Sequence, residues 1–481
     1  MAMRNLLLSF PLVALAACTM GPDYAGPAGA RAPQPPAAFV RAPSEARAEA
    51  PAVADWWTQF SDPVLDALEA KALAANPNVA IAQASLRQAR SALRLEKANG
   101  APNANLQAIY AHASLPGIDL GSSDGSAEGN ADGGGSGTDA LNFYNLGFDA
   151  SWEIDLWGGR RRSVEAARAQ LEAAEASVAD AQVSLTAEVA QAYANLRDRQ
   201  QRIRLGEDAV ARQSDLVALV RQRRERGAAS DLDVEQQADQ LEQLQAALLP
   251  LQAEHDAYLN ALAVLVGEAP GSVDQLLATP AAIPLPSAGT AIGDPAALLK
   301  RRPDVRAAER QYAAATAKIG VAEAARFPSV SFAGVLGIGG TQPEDVVDLD
   351  KLATIALPRL SWNILDFGRN AARVEQAKGG QDEAAARYRG AVLKALQDGE
   401  DALSRYGARL RASASVRRSL ASARRVEALA RQRFEAGTGS KIELLQAERS
   451  RLSAEQSLSQ ADGALSADFA GLQKALGLGW R

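Results

Sequence analysis

Tyr144-Asn145-Leu146-Gly147-Phe148-Asp149-Ala150-Ser151-Trp152-Glu153-Ile154 alternates without a break: the even positions are apolar or small, the odd ones polar or glycine. That is the period of a strand whose two faces meet different surroundings. A run of this length also matches a tilted strand that crosses a bilayer. Residues 103–112 follow the same pattern, with Asn103, Asn105 and Gln107 set against Ala104, Leu106, Ala108 and Tyr110. Residues 329–338 and 354–364 are weaker members, the last with Arg359 on the polar side and Pro358 opposite. A half-buried sheet in a soluble domain would alternate too. The membrane reading also accounts for Trp152, Trp157, Trp362 and Phe367 at the strand-to-helix junctions, where the aromatic girdle of a membrane barrel belongs.

Four strands cannot close a membrane barrel, since an open edge in lipid leaves backbone groups unsatisfied. The chain is therefore expected to oligomerise. Two copies would give eight strands and an interior filled by side chains; three would give twelve and room for a channel. The segment from Ser114 to Leu141, rich in Gly, Ser and Asp, reads as a flexible exterior loop, and the shorter loop at 339–353 is acidic.

Outward from the strands, the sequence repeats itself. Ser151-Trp152-Glu153-Ile154 returns 210 residues later as Ser361-Trp362-Asn363-Ile364, Trp157-Gly158 as Phe367-Gly368, and Gly227 and Ser230 as Gly437 and Ser440. Upstream, Asn76-Pro77-Asn78-Val79 matches Arg302-Pro303-Asp304-Val305, and Pro102 matches Pro328, both at a shift of 226. The chain is a tandem duplication, with residues 55–290 as one unit and 291–476 as the other.

Heptad spacing supplies the helices. Val164, Leu171, Val178 and Leu185 are seven apart, and Val189, Leu196, Ile203, Val210 and Val217 resume after a stutter. Leu396, Leu403 and Leu410 repeat this in the second unit. Long helices over 157–226 and 368–436 follow, with return helices over 231–266 and 441–476. A helix over 157–226 would be about 105 Å long, too long for a compact domain. Each return covers only half of its long helix. The rest is expected from residues 295–326 and 62–98, so that the two units interlock into one helical body. The fold class is mainly α with a membrane β-barrel, and residues 477–481 form a tail.

The N-terminus adds a location. Residues 1–17 read as a secretory signal, with Arg4 before an apolar run, ending in Leu15-Ala16-Ala17-Cys18. The chain's one Cys falls where a lipobox places the lipidated residue, so Cys18 is expected to carry a covalent lipid such as palmitate and no other cofactor. Thr19, in place of an Asp, points to the outer membrane. Pro- and Ala-rich residues 18–54 read as an irregular tether. No later stretch reaches 18 consecutive apolar residues, so no transmembrane helix is expected.

Composition narrows the function. Of 481 residues, 51 are Lys or Arg and 57 Asp or Glu, with no basic stripe interleaved with aromatics, which argues against nucleic acid. His112 and His255 sit in no ligand-spaced cluster, so no metal site is expected. Glu153 and Asp155 are paired acids without a nucleophile-base pattern, and Gly334 and Gly337 lie in a strand, so no catalytic residue is assigned.

Taken together, the residues resemble the TolC-like outer-membrane efflux factors, in the lipoprotein branch that serves resistance-nodulation-division (RND) pumps. The carriers are Gly21-Pro22-Asp23-Tyr24, Asp55-Trp56-Trp57, Phe60-Ser61-Asp62-Pro63, Arg302-Pro303-Asp304-Val305-Arg306-Ala307-Ala308-Glu309, Phe327-Pro328-Ser329 and the repeated Trp-to-Gly junctions. The resemblance implies a homotrimer with a twelve-stranded barrel continued by a periplasmic α-helical tunnel. It implies a passive, gated exit channel for drugs and toxic compounds, working with a periplasmic adaptor and an inner-membrane RND transporter. The adaptor-contacting tips map onto Gly227, Ser230 and Asp231 and onto Gly437, Thr438, Ser440 and Lys441. The periplasmic gate maps onto Ile442, Glu443 and Gln446, with Asp233 and Gln236 equivalent in the first unit; Gln446 departs from the family's usual Asp. The alternatives are a lipid-anchored periplasmic coiled-coil scaffold or adaptor, which would leave the four alternating segments unused, and a TolC-like duct for protein or metal export.

Overall fold

The computed structural model describes residues 19–114, 140–287 and 289–480. The signal segment, Cys18 and the centre of the long Gly-rich loop lie outside the described residues. The elements run α1 (Pro63–Ala75), α2 (Pro77–Ala98), β1 (Asn103–Ser114), β2 (Ala140–Ile154), α3 (Gly159–Glu225), α4 (Asp231–Leu265), α5 (Asp274–Leu277), α6 (Pro295–Arg301), α7 (Pro303–Ala324), β3 (Ser329–Gly340), β4 (Leu352–Ser361), α8 (Arg369–Glu435) and α9 (Lys441–Ala475). The paired long helices have 67 residues each and their returns 35 each, so the duplication is kept to the residue. Several expected spans differ: β1 runs on to Ser114, β2 begins at Ala140, and the helices expected over 62–98 and 295–326 each break before a proline, Pro77 and Pro303. The loop at 339–353 holds short 3-10 turns at Pro343–Val347 and Leu349–Lys351. β4 ends at Ser361 rather than 364, because its partner β3 begins at Ser329 and, among the described residues, no strand pairs with Trp362–Ile364.

The chain divides into two compact units that cut across the repeat boundaries, each drawing on both repeats. One gathers Arg90–Gln170 and Ala313–Glu383 with the described N-terminal residues up to Ala25. Its sheet is an antiparallel meander in the order β1-β2-β3-β4. Beneath the sheet α3 meets α7 through Ala169, Ala313 and Ala314, side chains small enough to let the backbones close in, with Tyr24 packed on them. The Gln381 amide of α8 donates to the Thr316 hydroxyl of α7 at 3.1 Å. Residues 19–25 are fastened here: the buried Arg162 guanidinium donates to the Met20 and Gly21 carbonyls and pairs with Asp23 at 2.6 Å.

The other unit comprises Gly26–Ala89, Leu171–Tyr312 and the chain from Ala384 onward. Its centre is aromatic: Trp56 lies edge-on to Trp57, Phe60 and Phe469, and Asp62 caps α1 while accepting the Tyr193 hydroxyl at 2.7 Å. Helix pairs are tied by charge as well as by apolar contact. Arg417 of α8 grips Asp462 of α9 through both oxygens at 2.8 Å, and Ser459 of α9 donates to Asp198 of α3 at 2.7 Å. The N-terminal segment is irregular as expected, but it is no free tether. The amides of Val40 and Arg41 both donate to the Glu400 carboxylate at 2.8 Å, Phe39 is buried, and Arg47 forms a bridge with Ala291.

One buried group of this unit titrates in an unusual direction. Glu69 of α1 is fully enclosed, and neither carboxylate oxygen has a hydrogen-bond partner. Burial, then the Asp66 carboxylate one turn earlier, pushes its pKa well above the usual 4.5. A carboxyl raised in the fold favours folding below 4.5, and that contribution is lost as pH rises through the raised value. Glu69→Gln should therefore flatten the fall in stability with rising pH, and at pH 8 should exceed the parent by roughly 1–3 kcal/mol, the scale set by an unsatisfied buried polar group. Denaturant midpoints across pH 5–9 for both proteins check this; parallel curves would show that Glu69 is solvated.

Candidate functional site: the two-faced sheet and the hairpin tips

The register decides which side chains share a face. Ala104, Leu106, Ala108 and Tyr110 of β1 lie beside Ala150, Phe148, Leu146 and Tyr144 of β2. These continue into Gly334, Leu336, Ile338 and Gly340 of β3, with Trp152 opposite Phe332 and Ile154 opposite Val330. Ala356, Thr354 and Leu352 of β4 follow, with Pro358 and Leu360 nearer its end. From the helix side as far as Tyr110 and Tyr144 the one polar residue on this face besides the aromatics is Thr354, and beyond them it turns polar at His112 and Asn142; Leu106, Tyr110, Phe148, Trp152, Phe332, Leu336 and Leu360 are all exposed. Large apolar side chains contiguous and open over a whole sheet mark a surface made for a nonaqueous neighbour. The opposite face carries Asn103, Asn105, Gln107, Asn145, Asp149, Ser151, Glu153, Ser331 and Arg359, and becomes apolar toward β4 at Val335, Ile355 and Leu357 and, on β1 and β2, at Ile109 and Phe143. A sheet with lipid on one side and water on the other requires this division.

Indole groups fix the end of the sheet where the strands meet the helices. The Trp152 N–H donates to the Gly100 carbonyl at 3.0 Å and the Trp362 N–H to the Arg326 carbonyl at 3.1 Å. Trp157 donates to the Pro328 carbonyl at 2.8 Å and stacks on Phe327 with ring centroids 4.6 Å apart. Phe367, the counterpart of Trp157, is 88% exposed. These aromatics are legible in the sequence, as is the Phe327-Pro328-Ser329 motif, but the carbonyl acceptors Gly100 and Arg326 and the stack of Trp157 on Phe327 are not among the expectations. Both repeat shifts applied together would have found them, since Gly100 and Arg326 are related by 226 as Trp152 and Trp362 are by 210.

At the other end of the long helices the two turns are built alike. α3 ends with Gly227 in the left-handed region, φ +73°, and α8 with Gly437 at φ +70°. The Ala228 N–H bonds back to the Arg223 carbonyl at 2.7 Å, as the Thr438 N–H does to Arg433 at 2.9 Å. The chain then re-enters a helix through a capping box, Ser230 with Asp233 and Ser440 with Glu443. A Cβ at either glycine would meet no atom within 4 Å, so backbone conformation alone selects glycine there. Hydrogen bonds from the Ser230 backbone and then its hydroxyl hold the Asp233 carboxyl below the usual aspartate range, so this cap is complete at neutral pH and is lost as pH falls through the lowered pKa. Asp231 pairs with Arg224 at 2.8 Å, and the Lys441 ammonium lies over the Phe434 ring at 5.5 Å.

The residues read as a gate separate into two groups. Ile442 is half-buried on the cluster of Leu216, Val220 and Leu445, so it belongs to the packing between hairpins of this chain. Glu443 and Gln446 are exposed and begin a polar stripe down α9 through Ser450, Ser453, Ser457 and Gln460; Asp233 and Gln236 are exposed on α4. Glu443 is thus both a capping acceptor and a surface charge, 3.9 Å from Arg433.

Comparison with known proteins places this geometry. The chain matches the model of the family described as outer membrane efflux protein over residues 68–268 and 295–478. It is 30% identical to the toluene efflux pump outer membrane protein TtgF of Pseudomonas putida, over 99% of this chain and 98% of that protein. It is also 30% identical to the pyoverdine export outer membrane protein OpmQ of Pseudomonas aeruginosa, over 100% and 98%. Among solved structures, the outer-membrane channel OprN superposes with a TM-score of 0.82 at 34% identity, covering 96% of this chain and all of that one. The open state of the MtrE outer membrane channel of Neisseria gonorrhoeae gives 0.76 at 26%, covering 96% and 98%. The two-faced sheet, the duplicated hairpins and these matches along nearly the whole chain lead to one conclusion: the chain belongs to the outer membrane efflux protein family, whose members are channels rather than enzymes.

Proposed function

We propose that three copies of this chain form the exit duct of a tripartite efflux pump, passing drugs and other toxic small molecules from the periplasm to the exterior. The observation that carries the reading is the sheet: one face largely apolar and exposed, the other mostly polar, and both edges without a partner among the described residues. Twelve strands leave a lumen, whereas eight are filled by their own side chains. The 67-residue helices, about 100 Å each, are long enough to continue the lumen through the periplasm as a tunnel. Energy and substrate choice belong to an inner-membrane RND transporter, coupled through a periplasmic adaptor that meets the tips at Gly227–Asp231 and Gly437–Lys441. Relatives of equal similarity carry the names of a toluene pump and a pyoverdine exporter, which suits a duct whose cargo is selected upstream.

Cys18 bears the lipid in this reading. The Met20 N–H donates to the Trp157 carbonyl at 3.0 Å, and Thr19 lies against Gly158. Thr19 and Met20 are thereby held beside Trp157, at the girdle that in this reading lies level with the headgroups. Mass spectrometry of the N-terminal peptide from membranes should show an acylated Cys18 and no residues 1–17; an unmodified thiol or a retained leader would contradict it.

The closed end of the tunnel lies at the tips, where three copies of Glu443 and Gln446 face one another across the axis. Glu443→Gln keeps a side chain able to cap α9 while removing the charge, and Glu443→Ala removes both. In planar bilayers the parent should open rarely and with small conductance, and both variants should open more often and wider. Altered gating in Glu443→Ala alone would assign the effect to the lost cap. Unchanged gating in both would move the gate elsewhere, and the absence of pores from folded oligomers would remove the duct.

A further inference from the structure

The polar face of the sheet is not polar throughout. Its β1–β2 half carries Asn103, Asn105, Asn145, Asp149 and Ser151. On the β3–β4 half Val335 lies opposite Ile355 and Ala333 opposite Leu357. Ile355 and Leu357 are 51 and 57% exposed, although the register sets them on the side of Asn105 and Arg359 rather than on the side of Leu336 and Leu360. Lipid therefore does not cover them. In a duct this face meets water, and aliphatic side chains grouped on a wetted wall mark a surface for an apolar ligand.

β2 brings a carboxylate to the border of that track. Asp149 lies between Asn105 of β1 and Val335 of β3, one strand spacing of about 4.8 Å from each. Its Oδ1 is shut off from water and accepts no hydrogen bond. The other acid of the strands on this face, Glu153, is paired with Arg160 at 3.4 Å. Arg359 of β4 lies opposite Ser331, four residues or about 13 Å along β3 from Val335, and so stands at the foot of the track rather than beside Asp149. The outer end is closed by Asn145, whose amide lies across Gly337; a Cβ there would come within 2.7 Å of its Nδ2. Between Leu357 and Ala353 the track is about 13 Å long, room for one or two aromatic rings.

We infer that Val335, Ile355, Leu357 and Asp149 form a subsite in the barrel wall for lipophilic cations, molecules with an aromatic or aliphatic body and a delocalised or quaternary positive charge. The body lies on the track, and the charge supplies the partner that the Asp149 carboxylate lacks. A small, strongly hydrated ammonium gains little there, because it must give up water without an apolar body to compensate. An anion of the same shape meets an unanswered negative charge. The inference rests on the duct reading above, which makes this face the lumen, and goes beyond it by giving the barrel itself a preference among its cargo.

Thiol protection in the full-length protein, held in lipid nanodiscs, tests the subsite and the reading separately. Ala333→Cys puts a thiol on the track, and Ala356→Cys puts one on the other face; both alanines are exposed. A neutral, water-soluble methanethiosulfonate should modify the first and spare the second, since a thiol in hydrocarbon does not ionise. The parent, with Cys18 alone, sets the background. Equal reactivity, or reaction at Ala356→Cys alone, overturns the duct reading and the subsite with it. Tetraphenylphosphonium should slow the modification of Ala333→Cys, whereas tetraphenylborate, alike in shape and opposite in charge, should not. Adding Asp149→Asn should raise the tetraphenylphosphonium concentration that halves the rate by about fivefold, the upper end for an ion pair still reached by water. Ile355→Ser should raise it as well. No protection by the cation, equal protection by both ions, or protection unchanged in Asp149→Asn, with Ala333→Cys still the reactive position, overturns the subsite and leaves the duct.

Discussion

A backbone N–H or C=O without a partner in hydrocarbon costs several kcal/mol, and among the described residues this sheet has two rows of them, on the outer sides of β1 and β4. β4 has ten residues, and an edge turns about half of its donors and acceptors outward. One bare edge in lipid would cost on the order of tens of kcal/mol, more than the roughly 5–15 kcal/mol by which whole domains are stable. The apolar face of the sheet therefore cannot be satisfied by lipid while its edges are open. Other features of the chain serve the closure of that sheet or the tunnel beneath it.

Duplication answers part of this requirement. One hairpin copied within the chain supplies an internal β2–β3 joint. The indole clips at Gly100 and Arg326 survive in both halves because they set where each strand leaves its helix. The Trp157 clasp survives in one half only. The helical side shows the same economy: two turns with the same left-handed glycine and capping box reverse two long helices, and the spacing between them is unchanged over the 67-residue helices.

Much of this was legible in the residues. Strict alternation in 144–154, its echo in 103–112 and the shifted Trp-Gly junctions disclose the strands and the repeat, because a pleated backbone and a fixed helical pitch leave a period in sequence. The spans of the long helices came within two residues of the observed ends, since each is closed by a glycine or a capping box. Where a property depends on neighbours distant in sequence, the signal fades. The strap over residues 26–54 has the composition of a linker, and its docking to Glu400 and Thr290 depends on backbone bonds that carry no side-chain signature. The packing of Ile442 on Leu216 and Val220 likewise depends on residues far away in sequence. Trp362–Ile364 echo Trp152–Ile154 in sequence, but β3 pairs with the latter and ends its pairing with β4 at Ser361.

The account stands on the number of copies that close the sheet. Native mass spectrometry of the protein released from lipid nanodiscs measures it directly. Three chains per particle, with no stable monomer or dimer, is the predicted result. A folded monomer that keeps its sheet in lipid, or a particle of two chains, would contradict it.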